Sequence, residues 1–195
     1  MTPTLITPPA AEPLTVAELK AWSRIDHDAE DSLLAGLISA ARDYVERHVE
    51  VKLITQTWRL SDRAFPVFST AMELDLRPVQ SVTEIAYTDA DGVAQTVDLS
   101  AVTMVADEWS TLVYPAADWP VTNGAADNVK IVAVAGYGDA AAVASRVPGL
   151  RHAVSLIAAH WYENREESTP LQTRQIPMGA ERLMALHRVP QVRFA

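Results

Sequence analysis

The sequence contains no cysteine. That removes a disulfide framework, a thiolate nucleophile and every zinc or iron–sulfur site built on sulfur ligands, and it points to an intracellular place of synthesis. Long hydrophobic runs are missing as well. No stretch without a charged residue exceeds eleven residues, far short of the roughly 20 apolar residues that cross a bilayer as a helix. Residues 1–11 are uncharged, but three prolines interrupt them and no basic start precedes them, so they do not read as a signal peptide. Nucleotide and hydrolase signatures are absent too. Gly136-Tyr137-Gly138 follows an apolar strand, yet the third glycine of a dinucleotide fingerprint is Ala141, no P-loop Lys follows, and there is no G-x-S-x-G elbow. The pair of glycines reads as a strand-ending turn.

What is present is ordinary globular composition: 195 residues, 49% hydrophobic and 21% charged, enough for one core with an appended subregion. The net charge is -9, from 25 acids and 16 bases, which disfavours free binding to nucleic acid or anionic lipid. The charge is uneven. Residues 1–145 hold 21 acids and 9 bases, net -12, whereas residues 146–195 hold 4 and 7, net +3. Opposite blocks on one chain suit pairing between copies, although solubility alone accounts for the acidic part.

Periodicity gives an α+β chain of helix, helix, several strands, helix and tail. Residues 1–13 form a Pro-rich lead. Thr15 with Glu18 makes a capping box, and Leu14 with Leu19 a hydrophobic staple, at the start of the first helix. A second helix begins in the acidic stretch Asp26 to Asp31 and carries the stripe Leu34, Leu37, Ile38, Ala41, Val45 and Val49. Alternation from Ile54 to Leu60 predicts a strand, followed by strands at 72–76, 82–87, 93–99, 102–105, 111–114 and 129–135. Asp89-Ala90-Asp91-Gly92 closes a hairpin. The nearly continuous apolar run from Val129 to Val134 predicts cover on both faces. Pro148 opens a third helix with the stripe Leu150, Val154, Ile157, Ala158 and Trp161, and a short helix at 179–187 lies in the tail. The expected architecture is a bundle of about three main helices (14–50 and 147–167) with a small antiparallel sheet inserted at 53–138 and an extended docking tail at 170–195, all one domain.

Chemistry has few candidates. None of the five histidines forms a metal-ligand pair. His160 and Glu163, three apart on a helix, are the best acid/base pair. The competing reading, a histidine flanking the core stripe and a solvated helix-end glutamate, is preferred because no third group accompanies them. Asp26, Asp28, Glu30 and Asp31 resemble a cation-binding run but lack the glycine and the closing glutamate of a calcium loop, and read as helix-start charge. No catalytic, metal or cofactor site is expected. The basic tail instead combines arginines with apolar anchors, the mixture that interface cores favour. Arg174, Ile176, Met178, Leu183, Met184, Arg188, Val192, Arg193 and Phe194 are the expected docking residues, and the same apolar side chains would equally serve by folding back on the chain's own core.

Six segments in order along the chain resemble the head-to-tail connector (adaptor) proteins of tailed phages, prophages and phage-derived gene transfer agents. They are Ile6-Thr7-Pro8-Pro9 with Glu12-Pro13-Leu14-Thr15, Arg24-Ile25-Asp26-His27-Asp28, Leu53-Ile54-Thr55-Gln56-Thr57-Trp58, Ala135-Gly136-Tyr137-Gly138, His160 to Glu166, and Pro177-Met178-Gly179. The resemblance implies a structural role with no enzymatic activity and no cofactor. Connectors of this kind form a ring, twelvefold by expectation, that joins the portal protein to the tail-completion (stopper) protein in a virion or phage-like particle and leaves a channel for DNA. It implies a chain made in the bacterial cytoplasm, monomeric or weakly self-associating when dilute, that orders its tail on the portal. An acidic channel wall would let DNA pass without sticking. The alternatives are a small hydrolase-like enzyme using His160 and Glu163, and a regulatory binding module.

Overall fold

A computed structural model of the chain describes residues 1–67, 70–107, 110–164 and 176–188. The chain is α+β and divides into two compact units, each assembled from two segments.

The first unit comprises Met1–Ala10 and Thr55–Tyr137 and among its described residues holds eight strands: β1 (Thr2–Thr7), β2 (Gln56–Asp62), β3 (Met72–Glu73), β4 (Val79–Thr88), β5 (Ala94–Thr96), β6 (Val102–Ala106), β7 (Thr111–Pro115) and β8 (Val129–Ala135). They form two sheets where the sequence predicts one, a five-stranded sheet ordered β1-β2-β8-β4-β5 and a three-stranded sheet ordered β3-β7-β6. Every pairing between these strands is antiparallel. The Pro-rich lead is thus in part a strand. β1 sits at a sheet edge, the place where a strand tolerates a residue without an N–H such as Pro3.

The hairpin between β4 and β5 forms as expected. Gly92 takes φ 83, and Asp89 Oδ1 accepts from the backbone N–H groups of Asp91 and Val93 at 3.0 and 2.9 Å. Period-2 alternation decides what is buried: Leu60, Ile85, Val129, Ile131 and Ala133 point to the core with Met72, Leu74 and Val113. Phe65 stacks on Trp119 at 4.7 Å, and the Trp119 indole donates to the Thr70 carbonyl at 3.0 Å. The prediction that β8 is covered on both faces fails. Lys130 is exposed and Val132 and Val134 are only half-buried, because among the described residues the core cluster of this unit takes in the alternate positions Val129, Ile131, Ala133 and Ala135.

The second unit comprises Ala11–Ile54 and Gly138–Ala195, with α1 (Val16–Ser23), α2 (Asp31–Val49), α3 (Ala140–Arg146), α4 (Pro148–Glu163) and α5 (Met178–Ala185) among its described residues. The capping box at Thr15 is present in both directions, and Leu14 and Leu19 are buried behind it. The predicted α2 stripe faces inward except Leu37, which is half-buried; Arg42 and Glu46 join it inside. α2 packs on α4, and α5 on α4 and α2. Gly138 ends the glycine turn at φ 131, and a Cβ there would lie 2.8 Å from the Ala142 Cβ in the first turn of α3. α3 has no counterpart in the periodicity reading, since its small side chains carry no stripe.

Candidate interaction surfaces

The tail helix α5 separates its side chains by spacing. Ala180 and Met184, four apart, are fully buried. Met178, Arg182 and Leu186, also at intervals of four, are exposed. Leu183 and His187 pass over α4 where it has no side chain, so that a Cβ on Gly149 would lie 3.6 Å from Leu183 Cδ2. Of the docking residues expected from sequence, Met178 and Arg188 are exposed, and Ile176 and Leu183 are half-buried. Met184 is a correction: it faces the chain's own core and anchors α5, because it shares the inward stripe with Ala180. Arg174, Val192, Arg193 and Phe194 lie outside the described residues. Leu186, 75% exposed, completes the outward stripe and was missed. The four-residue interval from Met178 was the available signal.

The three-stranded sheet presents an apolar outer face. Register places Glu73, Leu112 and Val105 in one cross-strand row and Tyr114 opposite Thr103 in the next, while Met72, Val113 and Met104 turn to the core. Val105 is 52% exposed and Tyr114 39%. By contrast, the outer side of the five-stranded sheet is polar, with Thr57, Arg59 and Ser61 beside Val134, Val132 and Lys130 on β8 and Ser81 and Glu84 on β4.

Charge divides by unit more sharply than along the chain. Residues 1–10 and 55–137 carry eleven acids and four bases, net -7, and the remaining residues carry fourteen acids and twelve bases, net -2, together -9. Within the helical unit Arg42 is buried. Its Nε donates to Glu12 at 2.7 Å and its Nη1 lies 3.4 Å from Glu46, whose other oxygen accepts the Leu53 N–H at 2.8 Å. Burial pushes the neighbouring Lys52 ammonium below its usual range despite the nearby Glu46 carboxylate.

The chemical candidates do not converge. His160 Nδ1 lies 3.1 Å from the Asn164 side-chain amide, and Glu163 is exposed. A groove of about 580 Å³ does exist, lined by Leu14, Trp22, Arg151, His152 and others, but it contains neither residue. In it Trp22 meets His152 edge-on at 5.0 Å, and Arg151 pairs with Glu18 at 2.6 Å. The acidic run at Asp28 and Asp31 is taken up by ion pairs to Lys20, and Glu30 accepts from the Tyr162 hydroxyl at 2.5 Å. Among the described residues no group of three or more His, Asp or Glu is arranged to hold a metal ion, and no helix is long and apolar enough to cross a membrane.

What remains is a chain of exposed, chemically distinct surfaces, and the comparisons with known proteins agree with that. A family model described as Phage gp6-like head-tail connector protein matches residues 13–106. No curated protein matches the chain. Among solved structures, a chain in the virion of the native gene transfer agent (GTA) particle shares the fold with a TM-score of 0.82 at 26% identity, covering 100% of this chain and 99% of that one. A chain in the neck of the empty GTA particle, computed with C6 symmetry, gives 0.81 at 27% identity with the same coverage. One in the neck of the native GTA particle, computed with C12 symmetry, gives 0.74 at 26%. Over residues 13–106 the chain is similar to the phage gp6-like head-tail connector family, and over its whole length it has the fold of these particle chains.

Proposed function

We propose that this protein is a ring adaptor in the neck of a phage-like particle, seated between the portal protein and the tail-completion protein, with DNA passing through the ring. The observation that carries this reading is the end-to-end likeness to GTA neck chains, which leaves almost nothing of either chain uncovered. Symmetric neck reconstructions of those relatives support a closed ring, twelvefold in our reading, since a heterologous contact repeated by rotation closes on itself. The 195 residues act as one connector: about three main helices form its frame, the β region at 53–138 is inserted as the tail-side surface, and the tail at 170–195 docks on the portal or a neighbour. Met178, Leu183, Arg188 and Ile176, with Arg174, Val192, Arg193 and Phe194, are the docking set. The role is structural, without catalysis or cofactor, and the acid excess of the β unit, net -7, keeps passing phosphate from adhering.

Deleting the gene from a producing strain tests the proposal. Filled heads without tails, restored to tailed particles by the intact gene, are expected; normal tailed particles from the deletion strain would overturn it. A chain lacking residues 173–195 should fail to bind isolated portal rings, and undiminished binding would remove the tail from the docking set.

A further inference from the structure

The ring reading leaves open which surfaces of adjacent copies meet. Two exposed surfaces described above differ in shape and charge and lie on different units. One is the outward stripe of α5, Met178, Arg182 and Leu186, with Arg188 just beyond; Glu181 borders it and leaves arginine in excess. The other is the outer face of the three-stranded sheet, exposed Val105 and Tyr114 with half-buried Leu112 between them, Glu73 in the row of Leu112 and Val105, and Asp107 just past β6. Exposed apolar side chains gathered on one face mark interaction sites, and aromatic residues, Met and Arg are enriched where interfaces bury them. The lengths are commensurate: eight helical residues span about 12 Å and a five-residue strand about 17 Å.

We infer that the α5 stripe of one copy packs across the three-stranded sheet of the next, with Met178 and Leu186 against Val105, Leu112 and Tyr114, and Arg182 against Glu73. The occupant is a second copy because the chain carries both complementary patches. A contact between unlike patches is heterologous and builds rings, whereas a self-complementary pairing of two acidic sheet faces sets like charges against each other. Specificity comes from the rim charges and burial from the apolar centre. The inference rests on the ring reading and adds its contact.

Because the chain has no cysteine, single introduced thiols report contacts without background. Leu186→Cys and Val105→Cys are exposed substitutions that leave both cores intact, and Val93→Cys, also exposed on the β unit, is the control. Each pair is built into one full-length chain and expressed in a deletion strain, and purified particles are oxidised mildly. The Leu186/Val105 pair should give a ladder of linked copies in about tenfold excess over the Leu186/Val93 pair, the equivalent of about 1.4 kcal/mol. Glu73→Lys should reduce that yield, and adding Arg182→Glu should restore it. Equal ladders from both pairs, or none from either in particles that contain the protein, would overturn the contact and leave the ring reading standing. If the cysteine-free chain is itself absent from purified particles, the ring reading falls and the contact with it.

Discussion

Thr15 and Glu18 close the first turn of α1 from both sides, the hydroxyl accepting the Glu18 N–H at 3.2 Å and the carboxylate accepting the Thr15 N–H at 2.9 Å. Thr15→Ala should lower the unfolding free energy by about 1 kcal/mol in urea titrations. The Thr15 backbone amide holds the Glu18 carboxyl below its ordinary value of 4.5, with the Thr15 hydroxyl and Arg151 assisting against partial burial. A carboxylate depressed in the folded state contributes stability that is fully present above its unfolded value and is lost as pH falls through the folded one. The cap should therefore hold at pH 5 and above and fade in more acidic solution, and Glu18→Gln should flatten that part of the stability–pH curve. At Gly138 the requirement is conformational. An alanine would meet Ala142 and adopt a φ near 131, so Gly138→Ala should cost about 1–3 kcal/mol, measured in the same way.

At the scale of elements, α2 is held by a buried charge cluster as well as by its apolar stripe. Arg42→Ala should destabilise the protein by about 3–5 kcal/mol, because it removes the buried guanidinium that pairs with Glu12 and with the almost fully buried Glu46. Replacing both residues, Arg42→Met with Glu46→Leu, should recover only part of this loss. The Leu53 N–H would then be buried without an acceptor, at about 1–3 kcal/mol. The cluster also shows where sequence reading ends. The stripe from Leu34 to Val49 was legible because a helix face is a local repeat. The burial of Arg42 and Glu46 depends on Glu12, thirty residues upstream, and on the Leu53 amide, which no periodicity encodes. β1 escaped for the same reason, since its partner β2 lies some fifty residues on. α3 escaped because alanines mark no face. β8 was over-read: its apolar run is real, but whether the second face of a sheet is covered is decided by neighbours. The outward stripe of α5 was half-legible, for Met178 and Arg188 followed from composition while Met184 could be assigned to the core only once α4 was in place.

For the whole molecule the governing quantity is where the charge resides. Most of the net -9 belongs to the β unit, and the isolated protein should show no DNA binding tighter than about 10⁻⁴ M at physiological salt, the weak end of non-specific association; fluorescence anisotropy with a labelled duplex measures it. Neutralising several β-unit acids should leave folding intact and bring binding within range. The division of each unit into two chain segments has a consequence for manufacture. β1 and β2 flank an entire helical hairpin, and β8, which pairs with both β2 and β4, is translated last of the three. At the usual elongation rate of about 5–20 residues per second, β2 leaves the ribosome roughly 4–15 s before β8 exists. Throughout that interval Trp58 and Leu60 lack the strand that later pairs with theirs, leaving an unpaired strand edge and apolar surface of the kind that invites aggregation.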